Sequence, residues 1–128
     1  MDERKNIPNS EKNGAIASLK DETTGIVYQI PVGESSVGRE DKTDEVEVNI
    51  TFQTTDRYMS HKHAFLLLKR NIIGEYALYI QDTRSRKNRS EVNNIPISHT
   101  YYSQVYNQDV ICMGRTNFTV FLNPVHKG

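Results

Sequence analysis

The chain has a single cysteine, no net charge and no long apolar run, and each absence removes a class of explanation. With Cys112 alone among 128 residues, no disulfide can close within the chain and no thiolate cage can hold a metal. Cys112 stands inside Val110-Ile111-Cys112-Met113, which reads as a buried structural thiol. Sixteen Lys and Arg balance sixteen Asp and Glu. The positive field that draws a general nucleic-acid binder to its target is therefore missing, and no nucleic-acid partner is expected. No apolar stretch approaches the length of a membrane span. The polar start Met1-Asp2-Glu3-Arg4-Lys5 lacks the apolar segment of a secretion signal behind it. A cytoplasmic protein without a membrane partner is the expectation. No window carries a sustained helical period, and neither internal repeats nor low-complexity segments are visible.

What is present is a series of short alternating segments. At this length one domain is expected, large enough to bury about two thirds of its unfolded surface without staples. Residues 1–14 are polar and read as a flexible N-terminal tail, with residues 15–124 as the folded domain. Strands are predicted over residues 15–19, 26–30, 35–39 and 46–50. Others follow at 64–68, at 76–80, around Val92, Ile95 and Ile97, at 110–113, and through Phe118, Val120 and Leu122, with Pro124 ending the last. Turn residues separate them at roughly ten-residue intervals, the pattern of an all-β sandwich. Tyr101, Tyr102 and Tyr106 read as core or rim packing.

The stretch from Met59 to Leu68 organises the rest. Ser60, His61, Lys62 and His63 stand immediately ahead of the apolar run 64–68, which reads as a buried strand. A polar cluster at the mouth of a rigid strand is a usual place for binding residues. Two further polar loops could join it at one end of a sandwich: the one opened by Gly38-Arg39, and the one from Arg84 to Asn93.

The order Gly38-Arg39, Ser60-x-x-His63, Asn88 and Val92-Asn93, with strands between, resembles the forkhead-associated (FHA) domain. That family carries Gly-Arg, Ser-x-x-His, Asn-Gly and a second Asn-Gly after an apolar residue. Asp109-Val110-Ile111-x-x-Gly114 is similar to the family's Asp-x-Ile-x-x-Gly. The resemblance covers about residues 26–122. It implies an eleven-stranded β-sandwich that binds phosphothreonine peptides, as a module for signalling or complex assembly. Arg39 would pair with the phosphate and Ser60 would donate its hydroxyl to it. His61 would face the peptide, and Asn88 would bond the peptide backbone. Gly38, His63 and Asn93 would be architectural.

Simple chemistry points the same way. A phosphate dianion wants a guanidinium, hydroxyl and amide donors and a nearby cation. Arg39, Ser60, Asn88 and Lys87 are such a set, with Arg89 a further cation. A zinc site from His61 and His63 with His99 or His126 lacks a carboxylate or cysteine at ligand spacing and leaves Gly38-Arg39 unexplained. A hydrolase using Ser60 lacks a nucleophile elbow and an orienting acid. No enzyme, metal or cofactor is expected, and the expected state is a monomer. The alternative reading is a degenerate FHA fold serving as a phosphate-independent interaction scaffold. Its supports are Arg89 and Asn94, which replace the glycines of the two Asn-Gly pairs.

Overall fold

The computed structural model describes residues 16–41, 48–83 and 89–124. The segment expected to be an N-terminal tail and the expected site residues Lys87 and Asn88 lie outside the described residues. Among those described there are eleven strands and no helix. They are β1 (Ala17–Asp21), β2 (Val27–Gln29), β3 (Gly33–Arg39), β4 (Ile50–Phe52), β5 (Ala64–Arg70), β6 (Tyr76–Asp82), β7 (Glu91–Val92), β8 (Ile95–Pro96), β9 (Ser103–Val105), β10 (Val110–Met113) and β11 (Thr116–Leu122). Two sheets form, one in the order β2-β1-β11-β10-β7-β8 and the other β4-β3-β5-β6-β9. The all-β sandwich of about eleven strands is what stands.

Alternation decides which faces meet. Leu19 of β1, Ile111 and Met113 of β10, and Phe118 and Val120 of β11 point inward from the first sheet. Val37, Phe52, Leu66, Leu68, Leu78, Ile80 and Val105 point inward from the second. Phe52 and Phe118 meet between the sheets with ring centroids 4.5 Å apart, and Tyr28 closes edge-on against Phe52 at 4.9 Å. Burying such side chains stabilises by roughly 1.5–3 kcal/mol each.

Several sequence expectations shift. The run at 64–68 is not buried throughout: Ala64, Leu66 and Leu68 enter the core, whereas Phe65 and Leu67 are half-buried on the outer face. Period-two geometry sends neighbours to opposite faces even in a continuous apolar run. Tyr102, half-buried beside β9, donates its hydroxyl to Glu34 of β3 across the width of the sheet. Tyr101 and Tyr106 are exposed, against the expectation of packing. The first strand runs to Asp21, two residues beyond its predicted end. There Asp21 Oδ1 accepts the Thr23 and Thr24 N–H groups and starts the turn. The fourth strand among the described residues is Ile50–Phe52; of the predicted span 46–50, residues 46 and 47 lie outside the described residues, and Val48 and Asn49 are not in a strand. Cys112 lies between inward-facing Ile111 and Met113 and is half-buried rather than buried; burial raises its thiol pKa, with Glu91 and Asp56 adding to the shift.

One topological feature positions the site. β4 pairs with β3 in parallel, with Val37 opposite Ile50 and Arg39 opposite Phe52. Both strands therefore end at the same pole. The chain crosses that pole through residues 53–63 and descends as β5, antiparallel to β3 with Val37 opposite Ala64. The β6 end and the β10–β11 turn rise to the same pole.

Candidate functional site

Gly38 is where strand and loop come closest. A Cβ there would lie 2.1 Å from His61 O, 2.5 Å from His61 C and 2.8 Å from Ser60 O, all backbone atoms. Only a residue without a side chain admits the loop. The loop is then stitched to β3 on either side: Arg39 N–H donates to Ser60 O at 3.0 Å and His63 N–H to Val37 O at 2.8 Å. Arg39 Nε donates to Met59 O at 3.0 Å, which fixes the plane of the guanidinium. The Met59 side chain is buried in the core, so the residue before Ser60 is anchored.

His63 is buried and braces the loop from within. Its Nδ1 accepts the Ser60 N–H at 2.9 Å, which places the ring proton of the neutral form on Nε2. Its carbonyl accepts Thr83 N–H at 3.2 Å and Thr83 Oγ1 at 3.1 Å, tying the end of β6 to the Ser60 loop. His61, beside it, is partly exposed; its Nδ1 lies 3.6 Å from Asp41 Oδ2, an ion pair when the imidazole is protonated.

Asp56, a residue that sequence reasoning passed over, fastens the same loop to the other sheet. Its Oδ2 accepts Arg115 N–H at 2.7 Å and Thr116 Oγ1 at 2.6 Å, and its Oδ1 accepts Tyr58 N–H at 2.9 Å. Burial works to raise its pKa, but the donors Thr116, Arg115 and Tyr58 outweigh burial and hold the carboxyl below its ordinary range. Gly114, at φ 64, lets the β10–β11 turn reach this point; a Cβ there would lie 2.6 Å from Met59 N. Arg115 then stacks its guanidinium 3.8 Å over the Tyr58 ring. The only local signal was an aspartate two residues ahead of Tyr58, the spacing of an Asx-turn. Its partners near residue 115 are too distant in sequence to be read from one chain.

The structure thus brings Arg39, Ser60, His61 and His63 together at one pole. Lys87 and Asn88 fall in the segment 84–88, outside the described residues, but the flanks of that segment are fixed. Thr83 is bonded to His63. Ser90 Oγ and N–H donate to Asp82 Oδ1 and Oδ2 at 2.9 and 3.2 Å. Arg89 Nη2 donates to Ile97 O at 3.2 Å. Asn93 lies away from the pole, in the β7–β8 hairpin. Asn93 and Asn94 both take positive φ, 51° and 71°, in a two-residue turn between the paired Val92 and Ile95. This is the combination a type I′ turn requires, and asparagine tolerates it. Asn93 also accepts Val110 N–H at 2.9 Å and donates to Asp109 Oδ1 at 3.1 Å, so its role is to join hairpin to β10. Among the described residues no group of three or more His, Cys, Asp or Glu side chains is placed to hold a metal ion.

Comparison with known proteins agrees with this fold. The family model described as FHA domain matches residues 35–114. No match is found among the curated proteins. Among solved structures, one from a study of phosphothreonine-dependent FHA domain interactions superposes with a TM-score of 0.65 at 23% identity, covering 84% of this chain and 97% of that one. The FhaA FHA domain, complexed with the intracellular domain of Rv3910, gives 0.62 at 23% identity over 81% and 98%. The MEK1 FHA domain in complex with a HOP1 phosphothreonine peptide gives 0.65 at 19% identity over 85% and 98%. At these identities the likeness shows the fold.

Proposed function

The chain belongs to the FHA domain family, and from that premise we propose that it is a phosphothreonine-dependent peptide-binding module for signalling or complex assembly, and not an enzyme. The observation that carries the reading is the stitching of Ser60 to Arg39 across Gly38. It brings Arg39, at the end of β3, and Ser60, in the loop ahead of β5, to one pole, with the guanidinium tied to Met59 O and the Ser60 backbone tied to Arg39 and His63. Such preorganised donors suit a phosphate dianion. Arg39 takes the phosphate charge and Ser60 Oγ donates to a phosphate oxygen. Asn88 bonds the peptide backbone. His61, Lys87 and Arg89 line the approach; Gly38, His63 and Asn93 hold the frame. The folded unit is residues 15–124.

The relatives support the ligand class: one belongs to a study of phosphothreonine-dependent interactions and another was solved with a phosphothreonine peptide. The scaffold reading rests on Arg89, where the family carries a glycine. Its companion, Asn94, counts less, because its φ of 71° is the glycine-like conformation itself.

Calorimetric titration with a degenerate phosphothreonine peptide library, set beside the same peptides unphosphorylated, tests the proposal. Micromolar affinity, about −8 kcal/mol, is expected for the phosphorylated set only. It should be lost in Arg39→Ala with the melting temperature unchanged. Equal binding of both sets would replace this reading with the scaffold.

A further inference from the structure

The opposite pole carries a feature that peptide binding does not use. The β5–β6 connection has every element of a rigid turn. Asn71 Oδ1 accepts the N–H groups of Ile73 at 3.1 Å and Glu75 at 2.9 Å. Gly74 N–H donates to Asn71 O at 3.0 Å, Asn71 N–H to Glu75 O at 2.7 Å, and Arg70 Nε to Gly74 O at 3.0 Å. Gly74, at φ 89, supplies the left-handed residue that follows a type I turn in such hairpins. Asparagine at the start and glycine at the end are what the turn favours. Its two central residues, however, are Ile72 and Ile73, where polar residues or proline are usual. Their relative exposures are 103% and 73%. Two branched aliphatic side chains stand on a convex, hydrogen-bonded tip.

The side chains behind the tip follow an order. Arg70 and Tyr76 pair across the hairpin, with the guanidinium 5.6 Å from the ring centroid. Lys69 and Tyr79 come next, with Nζ 5.5 Å from the ring centroid. Glu75 is the one acid between Lys69 and Tyr76, so this stretch carries net positive charge. Val32, 58% exposed, lies one residue beyond the Gly33–Leu68 pair, beside the same end of β5. Aliphatic tip first, then cations and tyrosines, is the sequence of environments a bilayer offers from acyl boundary to headgroup. A protein groove needs no such layering.

We propose that this pole is a membrane-surface contact, in which Ile72 and Ile73 enter the acyl boundary and Lys69 and Arg70 meet anionic headgroups. Because Arg39 and Ser60 are at the other pole, the domain can rest on a membrane with that pole turned away from it. This inference does not depend on the phosphothreonine reading.

Flotation with vesicles of pure phosphatidylcholine, and of phosphatidylcholine with about one third phosphatidylserine, tests it. The protein should float with the anionic vesicles and less with the neutral ones. The double variant Ile72→Asp/Ile73→Asp should lose partition by about ten- to a hundred-fold. Aspartate suits an exposed turn, so its melting temperature and peptide affinity should hold. Lys69→Gln/Arg70→Gln should erase the preference for the anionic vesicles. A parent protein that stays with neither vesicle, or a double variant that floats as well as the parent, overturns the proposal. So does concentration-dependent pairing in sedimentation that the double variant abolishes without any vesicle binding, which would seat the tip on a second copy. Peptide titration of the same samples keeps the two readings apart, since either can fail alone.

Discussion

One methyl group at Gly38 tests how the Ser60 loop is held. The Cβ of Gly38→Ala would sit 2.1 Å from His61 O. Carbon–oxygen contacts begin near about 3.3 Å, so loop and strand must part by roughly 1.2 Å. The obstructing atoms are backbone, so no rotamer change relieves them. The gap lies between the Arg39–Ser60 and His63–Val37 bonds, of 3.0 and 2.8 Å. Parting by that amount takes both out of hydrogen-bond range. Each bond contributes about 0.5–1.5 kcal/mol, and overpacking adds a cost of about 1–3 kcal/mol. The two overlap, because broken bonds are how the strain is released. Replacing glycine also narrows the unfolded ensemble, offsetting about 0.4–1 kcal/mol. A net loss of about 2–3 kcal/mol remains, or a fall in melting temperature of about 10–15 °C for a domain of this size.

Affinity should fall further than stability alone explains. Ser60 moves with its carbonyl, so its hydroxyl and the Arg39 guanidinium lose their spacing, and phosphopeptide binding should weaken at least about ten-fold. Gly33→Ala is the control. Its φ of 107° strains any side chain, yet nothing lies within 4 Å of the added Cβ, and it starts β3 at the far pole. It should lose stability and keep affinity. Thermal melts and peptide titrations of both variants decide. A Gly38→Ala protein that melts within a few degrees of the parent and binds as tightly would refute the contact on which the site is built.

Asp56→Ala strands three donors from Tyr58, Arg115 and Thr116, so urea titration should show a loss of about 2–3 kcal/mol, with weaker peptide binding as the Ser60 loop loosens. Because the folded carboxyl titrates below its unfolded value, the stability from Asp56 is complete above about pH 4 and is lost as pH falls through the lower folded value. Asp56→Asn should therefore flatten the acid limb of the melting profile. In the β7–β8 turn, Asn94→Gly should hold or raise the melting temperature, whereas Asn94→Val should cost about 1–2 kcal/mol, read by the same titration.

Much of this was legible because it follows period two and turn chemistry. The strands around Tyr28, Leu78 and Phe118 show their alternation openly, and Asn93-Asn94 announces its turn. The errors have physical causes. A continuous apolar run such as 64–68 hides which residues face out, since the outer face here also takes Phe65 and Leu67. β9, Ser-Gln-Val beside exposed tyrosines, offers no pattern, and its existence depends on pairing with β6. At the site, Gly38, Arg39, Ser60 and His63 announced themselves by type and order. Gly114 stood out by motif but without its task; Asp56 and Thr83 did not stand out, because each acts on partners remote in the chain.

The parallel pairing of β4 with β3 is the step that brings the proposed site residues to one pole. An antiparallel β4 would end at the opposite pole, and the chain would have to return before starting β5. Instead residues 53–63 have no distance to cover and can be spent on geometry. Met59 plugs the core, Asp56 grips the β10–β11 turn, and His63 holds the Ser60 amide. Each anchor uses a different element, so Ser60 is fixed relative to both sheets and not merely to its neighbour. That rigidity is what a phosphate needs, since an ion solvated by water is won only by donors already in place. It also leaves the far pole clear of the proposed site, so the β5–β6 turn there is free to make the proposed membrane contact through Ile72 and Ile73.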